Sequence, residues 1–116
     1  MDITLRDWQI VCVEGHRGPQ LRLAGRSEAD AQYRISSMVV AYDPDAGEAE
    51  TASGKRYTLR GERGGIERIE RVIAAYRRRH GMVGVRMVSE EEAFNLFQLQ
   101  ATQISDYSSG QTMILG

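Results

Sequence analysis

Lysine is nearly missing from this chain: of fifteen basic residues only Lys55 is a lysine, so its positive charge is almost wholly arginine. Cysteine is as scarce. Cys12 stands alone, which excludes an internal disulfide and leaves no thiol cluster for zinc. It lies in an alternating apolar segment and reads as a small buried hydrophobe. The two histidines, His16 and His80, are far apart and lack the helical spacing of a metal pair. No stretch approaches the roughly 18 apolar residues of a membrane span. The opening Met1-Asp2-Ile3-Thr4-Leu5-Arg6-Asp7 carries two acids and no apolar run, so it does not read as a signal peptide. These absences point to a cytoplasmic protein with no metal or other cofactor and no membrane partner.

What is present suits a single domain of 116 residues, 41% of them apolar. A core of that size is modest, and self-association is a natural way to bury more surface. The net charge of −1 conceals three blocks. Residues 1–54 hold five Arg against nine acids, −4; residues 55–86 hold ten bases against three acids, +7; residues 87–116 hold four acids and no base, −4. Either the acidic flanks pair with the basic middle, within a chain or between subunits, or the basic middle holds a phosphate-bearing ligand.

The pattern along the chain predicts an α+β fold: an antiparallel β meander or small barrel over residues 3–60, then two helices flanking a further strand. Trp8, Ile10 and Cys12 alternate with Val11 and Val13, and the turn chemistry of Gly15-His16-Arg17-Gly18-Pro19 leads to a return strand at Leu21–Ala24. Ser27–Gln32 reads as a loop. Tyr33–Tyr42 reads as the longest strand, and its continuous apolar end suggests a central place in the sheet. Asp43-Pro44-Asp45-Ala46-Gly47 predicts a hairpin to Ala49–Ala52. Ser53-Gly54 turns the chain into Lys55–Arg60, where Tyr57 and Leu59 face inward and Arg56, Thr58 and Arg60 outward.

The period then changes. Ile66, Ile69, Ile73, Tyr76 and His80 form one stripe of a helix over about residues 65–80, with Arg77, Arg78 and Arg79 complementing its dipole and Gly81 as C-cap. A strand follows at about 83–88. Ser89-Glu90-Glu91-Glu92 reads as a capping box opening a second helix over about 90–104, with Ala93, Leu96, Phe97, Gln100 and Ile104 at helical spacing. The tail 105–116 is polar until Met113-Ile114-Leu115. It either docks on the body or a neighbouring subunit, or stays disordered.

Enzyme templates find little. Glu90-Glu91-Glu92 belongs to a helix N-terminus, and no pocket is advertised for paired carboxylates. The glycines of Gly61-Glu62-Arg63-Gly64-Gly65, before a helix, could cradle a phosphate, although a glycine-rich connection is commoner as plain geometry. The residues that best fit ligand contact are Arg56, Tyr57 and Arg60 on one strand and Arg77 and Arg78 at the end of the first helix, chosen from charge and position. Arginine suits bidentate phosphate recognition and tyrosine offers a stacking face. A sequence pI near 6.1 and acidic flanks favour a compact phosphate-bearing ligand over a long nucleic acid.

Three segments carry a family resemblance: Ile3-Thr4-Leu5-Arg6-Asp7-Trp8-Gln9-Ile10, Arg34-Ile35-Ser36-Ser37-Met38-Val39-Val40, and Glu50-Thr51-Ala52-Ser53-Gly54-Lys55-Arg56-Tyr57-Thr58-Leu59. Over residues 3–60 the chain resembles small phage and prophage β-sheet proteins of the Thoeris anti-defence sponge type. That resemblance implies strands followed by helices, an oligomer, and a non-enzymatic binder that sequesters cyclic ADP-ribose signals of host immunity; related sponges take cyclic oligonucleotides. The leading expectation is therefore capture of a cyclic nucleotide-derived signal in the host cytoplasm. Second stands a protein–protein inhibitor of a host defence complex, using an exposed strand edge or Glu90-Glu91-Glu92. Third stands a nucleic-acid binder, which salt would weaken steeply.

Overall fold

The computed structural model describes residues 2–15, 18–81 and 84–98. Its first strand, β1 (Asp2–Gly15), organises the rest. On one edge β1 pairs antiparallel with β2 (Gly18–Ser27), closing at Gly15 opposite Gly18. Two strands share its other edge. Asp2–Leu5 pair in parallel with β6 (Arg56–Leu59), and Ile10–Val13 pair antiparallel with β7 (Val85–Val88). With β3 (Tyr33–Ile35), β4 (Val39–Asp43) and β5 (Glu48–Thr51), the seven strands make one mixed sheet in the order β3-β2-β1-β6-β5-β4, with β7 beside β1. The fold is α+β and strand-rich. It is not the wholly antiparallel sheet expected, because β1 is long enough to accept β6 in parallel and β7 antiparallel along one edge.

A bulge at Asp7–Trp8 makes that sharing possible. The β1–β2 register slips between Arg6 and Gln9, and Asp7 adopts φ 49°. One extra residue reverses the alternation. Ile3 and Leu5 before the bulge therefore share a face with Trp8, Ile10 and Cys12 after it. Gly25 lies across from the bulge, where an added Cβ would stand 3.1 Å from Trp8 Cα.

The continuous apolar run of β1 is buried on both faces. Val11 and Val13 pack with Val85 under Ile69 and Ile73 of α1 (Ile66–His80). Each of those isoleucines contributes about 2 kcal/mol by burial. Ile10 and Cys12 face the larger cluster, with Leu21, Leu23, Tyr57 and Leu59. A second helix, α2, covers part of that face; its described residues are 90–98. Ala93, Leu96 and Phe97 turn inward from it. Ser89 Oγ accepts from the Glu92 N–H at 3.1 Å, as a cap should, but the Glu92 carboxylate goes to Arg86 at 2.6 Å rather than back to the cap. Gln100, Ile104 and the tail lie outside the described residues.

Tyr33–Tyr42 is not one strand. Ser36 interrupts it: its N–H donates to Leu23 O at 2.8 Å and its Oγ accepts from Leu23 N at 2.9 Å. Past Ser36 the chain leaves β2 and pairs with β5, so β3 and β4 stand at opposite ends of the strand order although three residues join them. The sheet must curl around the larger cluster to bring those ends together. β4 is thus a terminal strand rather than a central one, with Val39 buried and Val40 39% exposed. No helix among the described residues is long and apolar enough to cross a membrane.

Candidate functional site

The residues expected to form one ligand site are far apart. Arg56 pairs with Asp2 at one end of β1. Arg77 donates to the carbonyl oxygen of Val85, which pairs with Val13 near the other end. Eleven residue steps along β1 separate Asp2 from Val13, roughly 36 Å at ~3.3 Å per residue. Tyr57 offers no stacking face: it is 2% exposed, within the larger core cluster. Alternation placed Tyr57 inward correctly, and that inward position removes it from any surface site. Arg56 is exposed, opposite Glu50 across β5 and β6. Arg60 is exposed near Glu28, and Arg78 is exposed on α1.

The glycine-rich connection lies against Asp7. Asp7, thrown outward by the bulge, already stands at the N-terminus of α1. Gly65 (φ 63°) is so close that an added Cβ would lie 2.9 Å from Asp7 Cβ and 3.0 Å from its carbonyl oxygen. A carboxylate there complements the helix dipole and repels a second anion. Arg63 pins the same connection down. Its Nε donates to Gln9 Oε1 at 3.0 Å, its Nη2 donates to Val88 O, and its guanidinium lies 5.7 Å from the Trp8 ring centroid. Trp8 Nε1 and Gln9 Nε2 donate in turn to Gly61 O and Gly64 O at 3.1 and 3.0 Å.

A different surface gathers rings and cations. Between α1 and β3 runs a groove of about 460 Å³, lined by Tyr33 and Ile35 from the strand and by Val72, Tyr76, Arg79 and His80 from the helix. The Tyr76 and His80 rings lie 4.3 Å apart, as side chains one helical turn apart can. Behind them Arg22 reaches from β2, its guanidinium 6.0 Å from the Tyr76 ring centroid. Arg22 Nη1 donates to Ser36 O and Nη2 to Gln20 Oε1, both at 3.3 Å. Among the described residues, neither Arg22 nor Arg79 forms an ion pair with a carboxylate. Arg34, also on the groove, pairs with Asp30 at 3.2 Å. The groove thus combines three aromatic rings with the guanidinium groups of Arg22 and Arg79, which have no carboxylate partner among the described residues.

Sequence reasoning read Tyr76 and His80 as parts of the apolar stripe and did not single out Arg22 or Tyr33. The i, i+4 spacing of Tyr76 and His80 was the legible signal. Tyr33 joins them only through pairing of β3 with β2 and packing under α1. Among the described residues, no group of three or more His, Cys, Asp or Glu side chains is placed to hold a metal ion. No protein-family model matches the chain, and neither a curated protein nor a solved structure shows detectable similarity to it.

Proposed function

We propose that this chain is a non-enzymatic binding protein that captures a compact, anionic, base-bearing ligand, a cyclic nucleotide-derived signal, in the groove between α1 and β3. The observation that carries this reading is the convergence of Tyr33, Tyr76 and His80 with the guanidinium groups of Arg22 and Arg79, neither ion-paired among the described residues. Rings of this kind stack a base, and a guanidinium takes a phosphate through two parallel hydrogen bonds. A volume of about 460 Å³ falls within the range of small-molecule sites. The site lies between helix and strand, so it needs no moving lid to form. Sequestration requires slow release rather than chemistry. The phage-type anti-defence role follows from the resemblance over residues 3–60, and it would place the protein in the host cytoplasm.

Thermal melting against cyclic ADP-ribose isomers and cyclic di- and trinucleotides tests this directly. Ligand at about 100 times its dissociation constant adds ~2.7 kcal/mol, a rise of several degrees in Tm. A selective rise that Tyr76→Ala abolishes supports the reading. No rise with any of these ligands sinks it.

A further inference from the structure

Among the described residues, Arg86 with Glu92 is the one ion pair that joins two of the sequence's charge blocks. Ion pairs among the described residues join Arg6 to Glu28, Arg26 to Asp7, Arg34 to Asp30 and Arg86 to Glu92. None of them uses Arg68, Arg71 or Arg78 of α1, and none uses Asp43, Asp45, Glu90 or Glu91. Helical spacing sets those three arginines on one arc of α1, away from buried Ile69 and Ile73, and all three are exposed.

On the other face of the sheet a groove of about 480 Å³ runs between β4 and α2. Tyr42, Pro44, Phe94 and Phe97 form its apolar lining, and Glu90 and Glu91 stand on its rim. Phe94 is 64% exposed. Asp43 and Asp45, flanking Pro44, extend the negative potential. An apolar groove with an acidic rim fits a helix face of arginines, because arginine stems pack on rings while their guanidinium groups reach carboxylates. The exposed arc of Arg68, Arg71 and Arg78 on α1 is such a face.

We propose that the groove between β4 and α2 receives the exposed arginine arc of α1 from a second copy of this chain. The two surfaces lie on opposite faces of one sheet, so they cannot meet within a molecule. Their contact is head-to-tail, and it either closes into a ring or extends as a chain. The arc borders the ligand groove, whose lining includes Ala75 and Arg79 of α1, so association is measured without ligand and its outcome is separate from that of ligand binding.

Sedimentation velocity over a range of protein and salt concentrations tests it, using charge-reversed variants. The wild type associates at low salt and dissociates as salt screens the contact. The paired change Glu90→Lys with Glu91→Lys makes the groove basic, and Arg71→Glu with Arg78→Glu makes α1 acidic. Each variant alone sediments as a monomer, while an equimolar mixture associates again because acidic and basic surfaces face each other once more. Phe94→Ser weakens association about tenfold. All five positions are exposed, so circular dichroism stays that of the wild type and Tm falls only by the helix-dipole share of Glu90, Glu91 and Arg78. A wild type that is monomeric at every concentration overturns the proposal, whether its groove then holds a different protein or this chain's own Met113-Ile114-Leu115. Variants that associate like the wild type, or a mixture that stays apart, overturn it equally.

Discussion

Asp7 and Gly65 fit together so closely that only glycine can occupy position 65: a Cβ there would lie 2.9 Å from Asp7 Cβ, and the backbone already has φ 63°. Gly65→Ala therefore incurs two penalties, a left-handed backbone, ~1–2 kcal/mol, and a contact that the bulge backbone cannot relieve. Gly81 has the same φ but nothing within 4 Å of an added Cβ. Urea denaturation should show Gly81→Ala losing about 1 kcal/mol and Gly65→Ala at least about 2 kcal/mol. Equal losses would mean that Asp7 yields easily and that the bulge does not fix the start of α1.

Arg63 ties the connection before α1 to β1 and β7 through Gln9, the Val88 carbonyl and the Trp8 ring. Arg63→Met keeps the stem but leaves Gln9 Oε1, in a residue 6% exposed, without its donor. The expected loss is about 2–3 kcal/mol, the range for hydrogen bonds to a charged group. Trp8 is the sole tryptophan, so its fluorescence reports the same change in the folded state. An unaltered emission spectrum and midpoint would show that the guanidinium is dispensable there.

Binding in the α1–β3 groove distinguishes two sets of arginines. Calorimetric titration with whichever cyclic nucleotide raises Tm should find Tyr76→Ala weaker by roughly 10–100-fold, the effect of ~1–3 kcal/mol per stacked base. Arg79→Ala should weaken binding comparably. Arg56→Ala and Arg60→Ala, remote from the groove, should leave affinity unchanged. The reverse result would move the site to β6.

Stability should fall at both ends of the pH range for opposite reasons. Burial pushes the Cys12 thiol and the Tyr42 and Tyr57 phenols up, with nearby Glu90 adding to the effect at Tyr42. The folded state thus keeps protons that the unfolded chain releases, and stability declines once pH exceeds about 8.5 for cysteine and about 10 for tyrosine. Cys12→Ala should flatten the first part of that decline in guanidinium titrations. On the acid side, the Arg6 hydrogen bond holds Glu28 low, and the Gln32 N–H does the same for Asp30. Their small contributions are present above the ordinary carboxylate range near 4 and disappear as pH falls through the lowered values.

Local chemistry made several elements readable from the chain. Pro44 and Gly47 fixed the β4–β5 hairpin, the isoleucine spacing fixed α1, and Ser89 fixed the start of α2, because each is a matter of residues close in sequence. Alternation also put Trp8, Ile10 and Cys12 on the face opposite Val11 and Val13. Composition established the separation of charge.

The tertiary structure decided what those pieces were for. Ser36 bonds to Leu23, thirteen residues away, and so splits an apparently continuous strand and sends β4 to the end of the sheet. The bulge sets Asp7 against Gly65 at the start of α1. Arg22, Tyr33 and Tyr76 come together from three elements, while Arg56 and Arg77, similar in charge, end up at opposite ends of β1. A one-dimensional pattern records which face a side chain takes, since that depends on a period of two or 3.6 residues. Which faces then meet depends on long-range pairing, and one extra residue in β1 was enough to reset it.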